Sequence, residues 1–301
     1  MSQLINFDIW HVDEEHPFGS GASEKKWLIN PNTKQTGIFK FPKIMSSGEI
    51  TGEYWAEKLA SDIALLIGID CAKVDIGIYH DRIGSMSYNV LEPDEELIEG
   101  IQYIVNKYPN YNGDRFIDTK SGKIYSIQMI LESLKGTGLE RDFLKIPIFD
   151  ALIGNSDRHH SNWAVKKNIQ TGEIRISPLY DNGSSLCCLV SDSKVQHYMG
   201  SLLNFESLVY GKSKSIIGWQ DVKKPRHLEL IQNIAENYYD DTISIINRIE
   251  ETLSEDSIKR VVYRYEDMVI TNNIKKLLCR FLIERKNRIV EIYKKKEGDH
   301  E

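Results

Sequence analysis

The apolar residues of this chain change their period once, near residue 92, and that change restricts the fold more than any other feature. Before it, "KKWLI" and "TGIFKF" alternate as short strands do, joined by the turn-forming "NPNTKQ". One helix intervenes over about 52 to 67, where Tyr54, Trp55, Leu59, Ile63, Leu66 and Ile67 recur at helical spacing and Gly68 stands as a C-cap. "AKVDIGIYHD" and "GSMSYNVL" then read as two further strands, and the charged "EPDEEL" ends the pattern.

Beyond it the helical period predicts segments near 95 to 107, 124 to 135, 139 to 153, 226 to 249, 255 to 270 and 271 to 295, with a loop over 108 to 123. One hairpin interrupts them, "NWAVKK" and "IRISPLYDNG" around the turn "NIQTGE". The expectation is an α+β protein of two lobes, β-rich over 1–92 and mainly helical over 93–301.

A chain of 301 residues with 41% hydrophobic and 27% charged residues can bury a large core, which excludes disorder over its length. It has no run of eighteen apolar residues and its first sixteen residues lack a secretory pattern, so the expected compartment is the cytoplasm, with no membrane partner; export as an effector stays open. Cys71, Cys187, Cys188 and Cys279 have no zinc or disulfide spacing and are expected as reduced, mostly buried thiols. Net charge is −6 although residues 275 to 296 carry nine Lys and Arg against Glu284 and Glu291. The acidic remainder argues against a dedicated nucleic-acid binder.

The chemistry concentrates in "IGNSDRHHSNWAV", at the end of an apolar helical segment. Asp157 is followed five positions later by Asn162, and the hairpin then delivers Asp181 in "LYDNG". In phosphoryl transfer an acid so placed accepts a hydroxyl proton, while an Asn and a second Asp hold Mg²⁺ from two sides. Upstream, the small-residue "FGSGASEKK" precedes a strand, where its amides can approach phosphates. Lys40 lies in the apolar "GIFKFP", and the next helix offers Glu53 and Glu57 as ion-pair partners.

These segments resemble the HipA-like serine/threonine kinases, which include toxins of bacterial toxin–antitoxin pairs. "FDALIGNSDRHHSNWAV" and "ISPLYDNGSSL" are similar to that family's catalytic loop and metal-binding segment; "GSGASEKK", "FKFP" and "GEYWAEKLA" are similar to its phosphate loop, lysine strand and following helix. The resemblance covers about residues 18 to 190 closely and is nearest to the short, stand-alone members.

It implies a bilobal protein-kinase-like fold that uses ATP and Mg²⁺. Asp157 would be the base, and Asn162 and Asp181 the metal ligands. Lys40 would contact the ATP phosphates with Glu53 as its partner and Glu57 as the fallback. Gly19, Ser20, Gly21, Ala22 and Ser23 would form the phosphate loop, and the chain from Val90 to Pro93 would hold adenine.

His159 would shape the loop, with Arg158 and His160 facing solvent or a phosphorylated residue. Longer members carry a serine where Phe18 stands, so autophosphorylation is expected at Ser20 or Ser23 instead. A small antitoxin is the partner class implied, and the protein substrate is unspecified.

Two other classes compete. A metal-dependent phosphohydrolase would use Asp157, His159, His160 and Asp181 as ligands. A non-catalytic partner-binding module would use the basic helix near 274 to 296. Ile274, Leu278, Phe281, Leu282, Ile289 and Ile292 instead suggest a core helix with a solvated basic face.

Overall fold

In the computed structural model, which describes residues 4–13 and 24–298, a curled sheet lies against a helical lobe. The first lobe contains β1 (Ile5–Asn6), β2 (His11–Val12), β3 (Lys25–Ile29), β4 (Thr36–Lys40), α1 (Glu53–Ile67), β5 (Val74–Tyr79) and β6 (Arg82–Tyr88). Its six strands run in the order β1-β5-β6-β4-β3-β2, all antiparallel except the β1 and β5 pair.

Alternation along β4 decides which way Lys40 points. Phe39 and Phe41 enter an aromatic cluster with Phe7, Trp10, Tyr79 and Tyr88 on one face, so Lys40 must emerge on the other. That second face packs on α1, whose Ala56, Leu59, Ala60 and Ile63 are buried against the sheet and the second lobe.

The second lobe begins with β7 (Glu95–Glu99), α2 (Gly100–Lys107), β8 (Tyr111–Asn112), β9 (Ile117–Asp118), α3 (Ile127–Leu134) and α4 (Glu140–Ile153). The hairpin β10 (Ala164–Asn168) and β11 (Ile174–Ile176) follows, then α5 (Asp192–Met199), α6 (Leu202–Glu206) and a π-turn over Ser207–Gly211. The chain closes with α7 (His227–Asn237), α8 (Tyr239–Thr252), α9 (Glu255–Tyr263) and α10 (Asn272–Gly298).

Four expectations change. Residues 95–99 form a strand rather than the start of a helix, because they pair antiparallel with β10, from Glu99 opposite Ala164 to Glu95 opposite Asn168. The helix expected over 226 to 249 breaks at Tyr238, and that expected over 255 to 270 stops at Tyr263. Two short strands, β8 and β9, pair within the expected loop.

α10 packs on α4, α5, α7, α8 and α9, burying Ile274, Leu278, Phe281, Leu282 and Ile289 as its apolar stripe predicts. Its basic residues are not all solvated. Arg285 is fully buried and donates from Nε to the Ala151 carbonyl at 2.6 Å and from Nη1 to the Val209 carbonyl at 2.7 Å. The guanidinium thus satisfies a carbonyl in the last turn of α4, where the helix presents unpaired acceptors.

Arg285→Met keeps most of the volume and leaves those carbonyls without a donor. It should destabilise the fold by about 2–4 kcal/mol, seen as a lower midpoint in denaturant titration. An unchanged midpoint would mean that the guanidinium is no structural tie.

Candidate active site

α4 ends at Gly154, whose φ of 71° caps the helix in the left-handed region. The loop that follows is held from below by a buried ion pair. Asp150, within the apolar "IPIFDALI", accepts from Arg158 Nη2 at 2.8 Å and from Nε at 3.1 Å, and both residues are at most 2% exposed. Arg158 Nη1 also donates to the carbonyls of Asn162 at 2.7 Å and Tyr180 at 2.8 Å, and Nη2 to Asn182 Oδ1. One guanidinium therefore ties the end of α4, the loop and the segment beyond the hairpin together. This corrects the expectation that Arg158 faces solvent or a phosphate.

Above that tie, Asn162 Nδ2 donates to the Asp157 carbonyl at 2.7 Å, and Asn155 Oδ1 accepts from the Asp157 backbone amide at 3.1 Å. His160 also turns inward. Its Nδ1 lies 3.0 Å from the Tyr111 hydroxyl and its ring contacts Phe116 and Tyr125. Burial pulls its pKa down to about 4. A ring so enclosed is a core histidine, and among the described residues no three His, Cys, Asp or Glu converge as a metal cluster.

The other half of the site comes from the first lobe. Lys40 Nζ is 2.7 Å from Asp181 Oδ1 and 3.6 Å from Glu57 Oε2. Glu57, 1% exposed, accepts from the amides of Asn182 at 2.9 Å and Gly183 at 2.8 Å. A Cβ on Gly183 would stand 3.2 Å from that carboxylate, so the glycine permits the approach. Asp181 itself has φ 58°, a conformation Asp tolerates better than most residues.

The expected Lys40 to Glu53 pair does not form. Glu53 accepts from Thr51 Oγ1 at 2.6 Å and from the Lys43 amide at 3.1 Å, and pairs with Lys43 Nζ at 3.1 Å. Local partners at the start of α1 hold it away, and Glu57, one turn further on, reaches Lys40.

Lys40 thus pairs with Asp181, whose charge also acts on Asp157, and Asn162 is bonded to Asp157, so the four residues are linked across the two lobes. Val90 lies in the connection between lobes, its carbonyl taken by Lys166 Nζ, while the amides of Leu91 and Glu92 are occupied by the Asn89 and Glu95 side chains. Gly19, Ser20, Gly21, Ala22 and Ser23, with Phe18, lie outside the described residues. Glu57 was only a fallback, and Asp150 and Asn182 were missed. An acid inside an apolar helical run was the available signal for Asp150, because a buried charge requires a partner.

The charges divide the two acids. The Lys40 ammonium holds Asp181 down to about 2, against the opposing effect of burial. Lys40 is raised in turn, the two carboxylates outweighing its burial. Asp157 moves the other way, raised by burial and, more weakly, by the Asp181 charge, with His159 and Lys43 opposing. A carboxylate that binds cations and one disposed to take a proton therefore stand side by side.

No protein-family model matches the chain. The serine/threonine-protein kinase CtkA of Helicobacter pylori is 21% identical over 297 residues, spanning 96% of this chain and 87% of that protein. Its crystal structure, that of a proinflammatory kinase, superposes with a TM-score of 0.82 at 20% identity over 98% of both chains. HipA from the HipA, HipB and operator DNA complex of Shewanella oneidensis superposes at 0.51 and 14% identity over 98% of this chain and 68% of that one. The chain has the bilobal α+β fold of the CtkA kinase and a more distant likeness to HipA.

Two variants separate the acids of α1. Glu57→Gln should lower the thermal midpoint, because a buried amide cannot accept both backbone donors and compensate Lys40. Glu53→Gln, whose ion-pair partner Lys43 is half exposed, should change it by less than about 1 kcal/mol. Equal effects would contradict the pairing.

Asp157→Asn should stabilise the protein at neutral pH. A pKa raised by folding makes the ionised form costly in the native state, and that cost disappears below the ordinary carboxylate pKa, where Asp157 is protonated folded or unfolded. The gain in melting temperature should therefore shrink as pH falls toward about 4. A gain independent of pH would mean that the charge is not its source.

Proposed function

We propose that the chain is a serine/threonine protein kinase of the HipA-like type that transfers the γ-phosphoryl group of ATP in the presence of Mg²⁺. The observation that carries this reading is the linkage of Lys40, paired to a buried acid of α1, through Asp181 to Asp157 and Asn162 of the second lobe. Resemblance to CtkA along nearly the whole chain supports it.

The residues present fit Mg²⁺. Asn162 commits its amide nitrogen to the Asp157 carbonyl and keeps its oxygen available; Asp181 uses one carboxylate oxygen on Lys40 and keeps the other. Hard oxygen donors of this kind suit the ion. Bound by Asn162 and Asp181, Mg²⁺ would neutralise charge on the β and γ phosphates.

Lys40 would hold the α and β phosphates, its charge kept by Asp181 and Glu57. Asp157 would accept the proton of a serine or threonine hydroxyl, and its raised pKa makes it a stronger base than an exposed carboxylate. The acidic limb of the pH–rate profile should accordingly lie above the ordinary Asp range.

No helix among the described residues is long and apolar enough to cross a membrane, and the cytoplasm is our proposed compartment. The likeness to HipA makes a small antitoxin protein the first partner to test by co-purification.

Incubation with γ-labelled ATP and Mg²⁺, read by mass spectrometry of the protein itself and of added protein substrate, tests the activity. Labelled Ser or Thr is expected. Asp157→Ala should cut transfer by ~10²–10⁴ with nucleotide still bound, and Lys40→Ala should remove most activity while melting cooperatively. Full transfer by a folded Asp157→Ala protein would contradict the proposed base.

A further inference from the structure

The C-terminal helix pair carries a second feature, remote from the cleft. Asp256, Lys259, Arg260 and Tyr263 recur on one side of α9 at three- and four-residue spacing, and Lys276, Cys279, Arg280 and Ile283 do the same on α10. Between these stripes lies an open groove of about 800 Å³. Tyr263, 46% exposed, with Ile283 and the edge of Cys279, forms an apolar floor. Seven residues of α9 advance about 10 Å, so the groove can seat roughly two turns of a third helix.

Its rim carries four cations, Lys259, Arg260, Lys276 and Arg280, against two acids, Asp256 and Glu284, on a protein of net charge −6. Arg260 and Lys276 make no ion pair among the described residues, whereas Lys275, Arg288, Lys294 and Lys295 on the same helix pair are all matched to carboxylates. Arg280 is held in place by the Phe205 ring at 3.8 Å and the Met199 carbonyl at 3.2 Å, contacts that leave its charge uncompensated. Of the two acids that line it, Glu284 is already engaged by Arg288 at 2.7 Å, and Asp256 offsets one of the rim cations.

We propose that this groove docks an acidic amphipathic helix of a partner protein, with apolar side chains at i, i+3 or i+4, and i+7 on the floor and carboxylates against Arg260, Lys276 and Arg280. The complementarity is twofold. A helix packed into the groove between two helices buries its stripe as in a helix-in-groove complex, and unpaired rim cations favour acidic partners over basic ones. Docking here does not depend on the phosphoryl-transfer reading, because no residue of the groove belongs to the cleft.

The test uses the full chain and a labelled helical peptide of about 18 residues with a Leu stripe flanked by Glu, alongside a twin with Lys for every Glu. Fluorescence anisotropy at physiological salt should show micromolar binding of the acidic peptide only. The exposed double variant Arg260→Glu with Lys276→Glu should weaken it at least about tenfold with an unchanged melting temperature.

Absence of binding to about 1 mM, equal binding of the Lys twin, or full affinity in the double variant would overturn the proposal. So would a DNA duplex that binds the wild type and displaces the peptide, which would assign the groove to nucleic acid. Light scattering completes the test: a wild-type dimer that the double variant dissociates would assign it to a second copy of the chain.

Discussion

The contact on which the rest of the site depends is Lys40 against Asp181, because it joins a strand of the first lobe to the segment delivered by the β10–β11 hairpin of the second. Neither residue is held by its own element alone. Lys40 points into the cleft because its neighbours Phe39 and Phe41 are drawn into the aromatic cluster on the opposite face. Asp181 is held by what surrounds it, the Tyr180 carbonyl on Arg158 and the Asn182 and Gly183 amides on Glu57. Glu57 serves both sides, as acceptor for two amides and counter-charge for the lysine.

Such an arrangement requires α1 to stay where it is, and the second lobe keeps it there. Asp62 accepts from Arg264 and Tyr265, the Tyr54 hydroxyl donates to the Val269 carbonyl at 3.0 Å, and the Gly52 amide to the Cys188 carbonyl at 2.7 Å. The acid that meets Lys40 is thereby fixed from behind by the lobe that carries Asp157. Buried ion pairs of this kind add little net stability, since desolvation offsets the attraction. Their value here is positional, as it is for Asp150 and Arg158 beneath the loop.

Much of this was legible in the sequence where the determining contacts are local. Asp157 and Asn162 stand five apart in one loop closed by its own hydrogen bonds, and the hairpin that brings up Asp181 carries a turn signature. The choice of Glu57 over Glu53 was not legible from period, because both lie near the start of one helix, and Thr51 and Lys43 decide it. The strand at 95–99 escaped for a different reason. Its partner β10 lies more than sixty residues away, and burial of Glu95 against Lys166 is a product of that pairing. Arg158, expected to face solvent or a phosphorylated residue, is buried instead on Asp150, a role that the lone acid of "IPIFDALI" implied.

The proposed activity requires the two lobes to hold a metal-bound nucleoside triphosphate jointly. Calorimetric titration of the purified chain with ATP measures it directly, with Mg²⁺ present and with the metal chelated. Saturable binding is expected, much weaker without Mg²⁺, with an Asp181→Asn variant whose residual binding no longer responds to the metal. Wild-type protein that binds no ATP, or binds it equally with and without Mg²⁺, would rule out a metal-nucleotide site between the lobes.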